Sequence, residues 1–72
     1  MNQVLIRDEF IKLGQAMKLA GVAGNGVDAK LLIQNGEVKV NGEVCTQRGK
    51  KMYEGDIFSF EDADYKIVSK QL

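Results

Sequence analysis

Gly36-Glu37-Val38-Lys39-Val40-Asn41-Gly42 is where the chain changes its period. Before it, apolar residues recur at helical spacing. Within it, Val38 and Val40 alternate with Glu37 and Lys39, the period of two that turns one face of a strand to a core. Gly36 follows Asn35 and reads as a helix stop, because glycine accepts the left-handed conformation that closes a helix. Asn41-Gly42 reads as a two-residue hairpin turn, since a type I′ turn needs positive φ at both central positions and these residue types tolerate it. A helix end, a strand and a tight turn therefore follow one another with no intervening linker.

Reading outward towards the N-terminus, Ala29, Leu32 and Ile33 share one face of a helix that begins at Asn25 or Gly26. Asn25 suits the N-cap, and Asp28 falls in the first turn, where negative charge suits the helix dipole. Val27 and Leu31 lie on the other side, at i and i+4, and are expected to close against the preceding helix or the N-terminal strand. Gly21, Gly24 and Gly26 mark a tight turn. Ahead of it, Leu13, Ala16, Met17 and Ala20 keep helical spacing after Asp8 and Glu9. Phe10 and Leu19 are expected to extend that packing, and the helix should stop near Gly21 or Val22. Val4 to Ile6 reads as a first strand.

Reading towards the C-terminus, Val44 and Cys45 begin the return strand of the hairpin. Thr46 to Met52 is polar, basic and glycine-containing, and reads as a loop. Glu54-Gly55-Asp56 is another turn. Ile57 to Phe60 and Tyr65 to Val68 read as the two strands of a closing hairpin. Phe58, Phe60 and Tyr65 are assigned to the core, and Tyr53 is the aromatic expected to be exposed. The fold class is α+β, with two short helices packed on a small, mainly antiparallel sheet, in one domain over residues 1–72.

Composition narrows the functions this fold can carry. A chain of 72 residues has little room for an enclosed pocket and a supporting shell together, which weighs against an enzyme. There is no histidine, so the commonest general base and metal ligand are both missing. Cys45 is the single cysteine and has no such activator; it reads as a part-buried hydrophobe. Asp62 and Asp64 lie in a turn without an evident pocket, and the acids lack the spacing of a calcium loop. The three clustered glycines are not followed by the Gly-Lys-Ser/Thr of a phosphate loop. No catalytic residue, metal, cofactor or small-molecule substrate is expected. No apolar run reaches the roughly 20 residues of a membrane span, and the first residues do not resemble a signal peptide, so a cytoplasmic location is expected.

Net charge is zero, but its two signs are segregated. Lys39, Arg48, Lys50 and Lys51 face only Glu43 over residues 39–51, whereas Glu54, Asp56, Glu61, Asp62 and Asp64 run without a base. A neutral chain can therefore carry a local basic face.

The order helix, glycine turn, helix, Gly36, strand, Asn41-Gly42, strand, Gly55-Asp56, strand resembles the S-four RNA-binding domain, the αL motif of small-subunit ribosomal protein four. The matching residues are Lys12-Leu13, Leu19-Ala20-Gly21, Ala29-Lys30, Ile33, Gly36, Val38, Val40-Asn41-Gly42 and Gly55-Asp56. Lys18-Leu19-Ala20-Gly21 and Thr46-Gln47-Arg48-Gly49-Lys50-Lys51 are similar to the small bacterial members in which the domain stands alone. The resemblance implies non-catalytic binding of structured RNA, ribosomal or transfer RNA, with the ribosome as a possible partner. Two positions depart from the family. Asn25-Gly26 stands where a Ser-Arg pair is usual, removing one implied phosphate contact. Lys12-Leu13-Gly14 replaces the usual Arg-Leu-Asp, keeping a charge but losing the guanidinium fork.

Structured RNA is recognised mostly through shape and backbone, to which lysine and arginine are suited. The resemblance and the clustering of charge nominate Lys12, Lys18, Lys30, Lys39, Arg48, Lys50 and Lys51 as RNA contacts. Gly49 lets the backbone approach beside Arg48. Lys66 and Lys70 read as ordinary solvated lysines. The competing reading is a module that docks on a ribosomal or replication protein. Salt separates the two, because phosphate contacts weaken steeply as salt rises and apolar ones do not.

Overall fold

A computed structural model describes residues 1–70. In chain order the elements are β1 (Asn2–Ile6), β2 (Phe10–Lys12), α1 (Leu13–Leu19), α2 (Gly26–Gln34), β3 (Val38–Val40), β4 (Glu43–Val44), β5 (Lys51–Tyr53), β6 (Ile57–Phe60) and β7 (Ala63–Ser69). Five strands form one sheet in the order β1-β7-β6-β3-β4, and β2 pairs with β5 in a separate two-stranded ribbon. Every pairing is antiparallel except β1 with β7. Both helices pack on one face of the larger sheet. Leu13, Ala16, Met17, Ala29 and Ile33 from the helices share a core with Val4, Ile6, Val38, Phe58 and Ile67 from the strands.

The period change at Gly36 is realised as the sequence implies. Asn35 caps α2, and Gly36 takes φ +75°. The N–H of Gly36 donates to the Ile33 carbonyl, and that of Glu37 to the Leu32 carbonyl. This pair of bonds satisfies carbonyls that the end of a helix would otherwise leave free. The same pair closes α1 at Gly21 and Val22. At the other end of α2, the Asn25 side chain accepts from the Asp28 N–H at 2.9 Å, the N-cap expected of it. Asn41 and Gly42 both have positive φ and join β3 to β4. Asn41 does more than turn the chain. Its Oδ1 accepts from the Ile57 N–H at 3.0 Å and its Nδ2 donates to Asp56 at 3.2 Å, tying the hairpin tip to the start of β6.

Four expectations are corrected. The residues after Asp8-Glu9 form strand β2 before the helix begins at Leu13, so Phe10 lies on a ribbon and not on a helical face. The segment from Thr46 to Met52 is not all loop: its end forms β5, and Met52 is fully buried. Pairing with a strand distant in sequence has overridden a polar, glycine-containing composition. Leu19 remains 60% exposed. Val27 and Leu31 are 66% and 51% exposed and do not close against α1 or β1, because α2 turns its Ala29–Ile33 stripe to the core instead. Cys45 is part-buried, Phe58 fully buried, and Phe60 and Tyr65 pack against the core.

Candidate nucleic-acid interface

The start of α1 has no side-chain cap, since Lys12 stands at the N-cap position. Its first N–H groups need acceptors from elsewhere. The segment after β4 provides them: the Leu13 N–H donates to the Lys50 carbonyl at 2.8 Å, and the Gly14 N–H to the Arg48 carbonyl at 3.1 Å. β2 and β5 then pair directly beside this junction, with Ile11 opposite Met52 and Lys12 opposite Lys51. Residues distant in sequence are thereby fixed side by side by backbone hydrogen bonds, which hold whatever the side chains do.

Gly14 completes the junction. A Cβ at this position would lie 2.8 Å from Arg48 Cγ, so the aliphatic stem of Arg48 lies over the space that glycine leaves open. An isolated glycine within a helical pattern commonly has such a packing reason. In this chain the usual family aspartate at that position would collide with Arg48.

The outcome is a hollow of about 290 Å³ lined by Lys12, Gly14, Gln15, Lys18, Gly26, Arg48 and Gly49. Three of these residues are cationic, and no carboxylate is among them. Lys12, Lys18 and Arg48 are all exposed at the residue level, so their charged ends are hydrated and free to meet a ligand. A concave surface lined by one sign of charge concentrates the opposite sign. Lys12 and Lys18 supply compact ammonium groups, and Arg48 supplies a planar fork suited to two phosphate oxygens at once.

Of the eight residues nominated from the sequence, Lys12, Lys18, Arg48 and Gly49 therefore meet in one place. Lys30 is one helical turn beyond Gly26 on α2, which sets it on the same side of the helix as the rim of the hollow. Lys51 faces Lys12 across the ribbon, with its Nζ 4.9 Å from the centre of the Phe10 ring. Lys50 lines a different hollow, together with Val40, Asn41, Glu43 and Gln47. Lys39 is set apart. Its neighbours Val38 and Val40 point into the core beneath the helices, so Lys39 points to the opposite face of the sheet. Gln15 and Gly26 line the basic hollow without having been singled out as contacts. Gln15 follows Gly14 at the turn where the hollow begins, which only the folded pairing reveals.

The acidic residues gather elsewhere. Glu61 and Asp62 sit with Gly21 and Val22 beside the C-terminal end of α1. The basic hollow runs along α1 from Lys12 to Lys18, and neither of these acids lines it. Asp56 is held by hydrogen bonds to the Asn41 side chain and the Tyr53 N–H. Among the described residues no group of three or more His, Cys, Asp or Glu side chains is placed to hold a metal ion. Among the described residues no helix is long and apolar enough to cross a membrane.

Two helices packed against a mainly antiparallel mixed sheet are the architecture of the αL class of small α+β domains. Residues 4–68 match the S4 domain family model, and the chain belongs to that family. It is 43% identical over 69 residues to the Bacillus subtilis protein named "Probable ribosome maturation protein RlbA", covering 94% of this chain and 97% of RlbA. It is 34% identical over 59 residues to the Escherichia coli protein named "Putative RNA-binding protein YbcJ", covering 82% of this chain and 84% of YbcJ. The solution structure of YbcJ, described as revealing an αL motif involved in RNA binding, superposes with a TM-score of 0.72 at 30% identity over 94% of this chain and 87% of that one.

Proposed function

We propose that this protein binds structured RNA without catalysing a reaction on it, that the RNA is ribosomal, and that binding serves ribosome maturation in the cytoplasm. The observation that carries this reading is the carboxylate-free hollow that Lys12, Lys18 and Arg48 line together, with the Arg48 stem packed over Gly14. Three cations without an acid of their own suit a polyanion, and the dense phosphates of folded RNA are such a ligand. Lys12, Lys18 and Arg48 are its primary contacts, with Gly49, Lys30 and Lys51 at the margin. Lys39 and Lys50 lie outside the hollow and would contact RNA only if it extends beyond that site. The names of RlbA and YbcJ support the RNA class and the ribosomal setting. The whole chain, residues 1–72, acts as one such domain.

Crosslinking in cells followed by sequencing of the bound RNA tests the reading. Enrichment of ribosomal RNA at discrete sites is the expected result. Absence of any enriched RNA would overturn it and favour docking on a protein. That second reading has its own observation in the exposed Leu19, Val27 and Leu31 on the helices.

A further inference from the structure

The outer face of the β2–β5 ribbon carries two aromatics and two lysines in a square. Phe10 is paired with Tyr53 across the ribbon, and Lys12 with Lys51. The remaining pair, Ile11 with Met52, points the other way, into the core. Phe10 and Tyr53 lie with ring centres 5.8 Å apart and planes inclined at 48°. Tyr53 is 43% exposed, and Lys51 Nζ sits over Phe10. Lys12 belongs to the square and also lines the basic hollow, so the two sites are continuous.

Two features mark this square as more than cross-strand packing. Like charges opposite each other destabilise a ribbon, yet Lys12 and Lys51 occupy opposed positions. A bridging anion would relieve that repulsion. The aromatic pair beside them is also incompletely covered, leaving Tyr53 open to solvent on the same face. Exposed aromatic faces next to cations are the combination that holds an unpaired base together with its phosphate.

We propose, resting on the RNA reading above, that Phe10 and Tyr53 form a stacking platform for an unpaired nucleotide adjoining the phosphates held in the hollow. The ligand class is thereby narrowed to RNA in which a paired region meets a single-stranded nucleotide. Lys12 and Lys51 hold the phosphate at that junction, and Tyr53 takes the base. No covalent step is involved.

The test compares a blunt RNA hairpin with the same hairpin carrying a few unpaired adenines, placed at each end in turn. The tail is expected to tighten binding on the order of tenfold, the scale of one stacked base. Tails of abasic sugar-phosphate should lose that gain with the unaltered protein, a control that needs no variant. Tyr53→Leu should remove the gain while leaving blunt-hairpin affinity in place, and Tyr53→Phe should retain it. The thermal midpoint of each variant checks its fold. Equal affinity for blunt, tailed and abasic-tailed hairpins would overturn the platform while leaving the RNA reading intact, as would equal loss on all three with Tyr53→Leu. Absence of binding to any hairpin would remove both.

Discussion

The stretches Gly36–Gly42 and Arg48–Tyr53 are of similar length and lie on either side of strand β4, yet they specify different things. The first is built from local rules: a glycine helix stop, alternating valines and a two-residue turn, each realised where the sequence puts it. The second follows no local rule. It reads as a polar loop, but it supplies carbonyls to the bare start of α1, a strand to β2, a fully buried Met52 and the Arg48 of the basic hollow. The first stretch shapes the scaffold. The second assembles the site, and it does so through partners more than thirty residues earlier.

Substitutions in the two stretches should separate accordingly. The largest effect is expected where the second stretch enters the core. Met52→Ala should cost about 2–5 kcal/mol, against the few kcal/mol that a single core of this size supplies. Urea denaturation should show a folded baseline shortened or lost. A variant close to the parent would mean that the ribbon is not part of the core.

In the first stretch, Asn41→Ala removes the side-chain bonds to Ile57 and Asp56 and places a Cβ-bearing residue without local compensation at φ 50°. A loss of about 1–3 kcal/mol is expected from the same measurement. RNA affinity under folding conditions should remain unchanged. Asn25→Ala removes the N-cap of α2 and should cost about 1 kcal/mol; a hydrogen-exchange readout should place the loss in the first turn of that helix.

The smallest stability effect and the sharpest contrast are expected at Gly14. Gly14→Ala gains helix propensity of up to about 1 kcal/mol, which offsets the strain of displacing Arg48. Stability should therefore change by less than about 1 kcal/mol, while RNA affinity falls roughly tenfold as the guanidinium leaves its position. Equal affinity for parent and variant would show that Arg48 needs no such seating.

What was legible in the sequence follows the same division. The helix ends, the Asn25 cap, the type I′ turn and the closing hairpin are short-range devices, and their residues announce them. β2 and β5 are too short to carry a periodic signal, and each exists only because the other is present. The exposure of Val27 and Leu31 was hidden for a related reason. α2 has apolar residues on more than one side, and spacing does not say which side meets the core. For the site, charge clustering and family likeness nominated eight residues, and four line the hollow together. Lys39 was nominated by family likeness, and alternation along β3 turns it to the face of the sheet away from the helices. Gly14 stood out in the sequence as a departure from the family, and its contact with Arg48 gives that departure a physical reason.

The central claim is that Lys12, Lys18 and Arg48 act together on RNA phosphates. It is tested most directly by measuring affinity for a ribosomal RNA fragment over a salt series, for the parent chain and for the combined Lys12→Gln, Lys18→Gln and Arg48→Gln variant. Loss of three phosphate contacts should make the slope of log affinity against log salt shallower by about 2 to 3, with weaker binding at low salt and an unchanged thermal midpoint. Parallel slopes and equal affinities from a folded variant would contradict the claim.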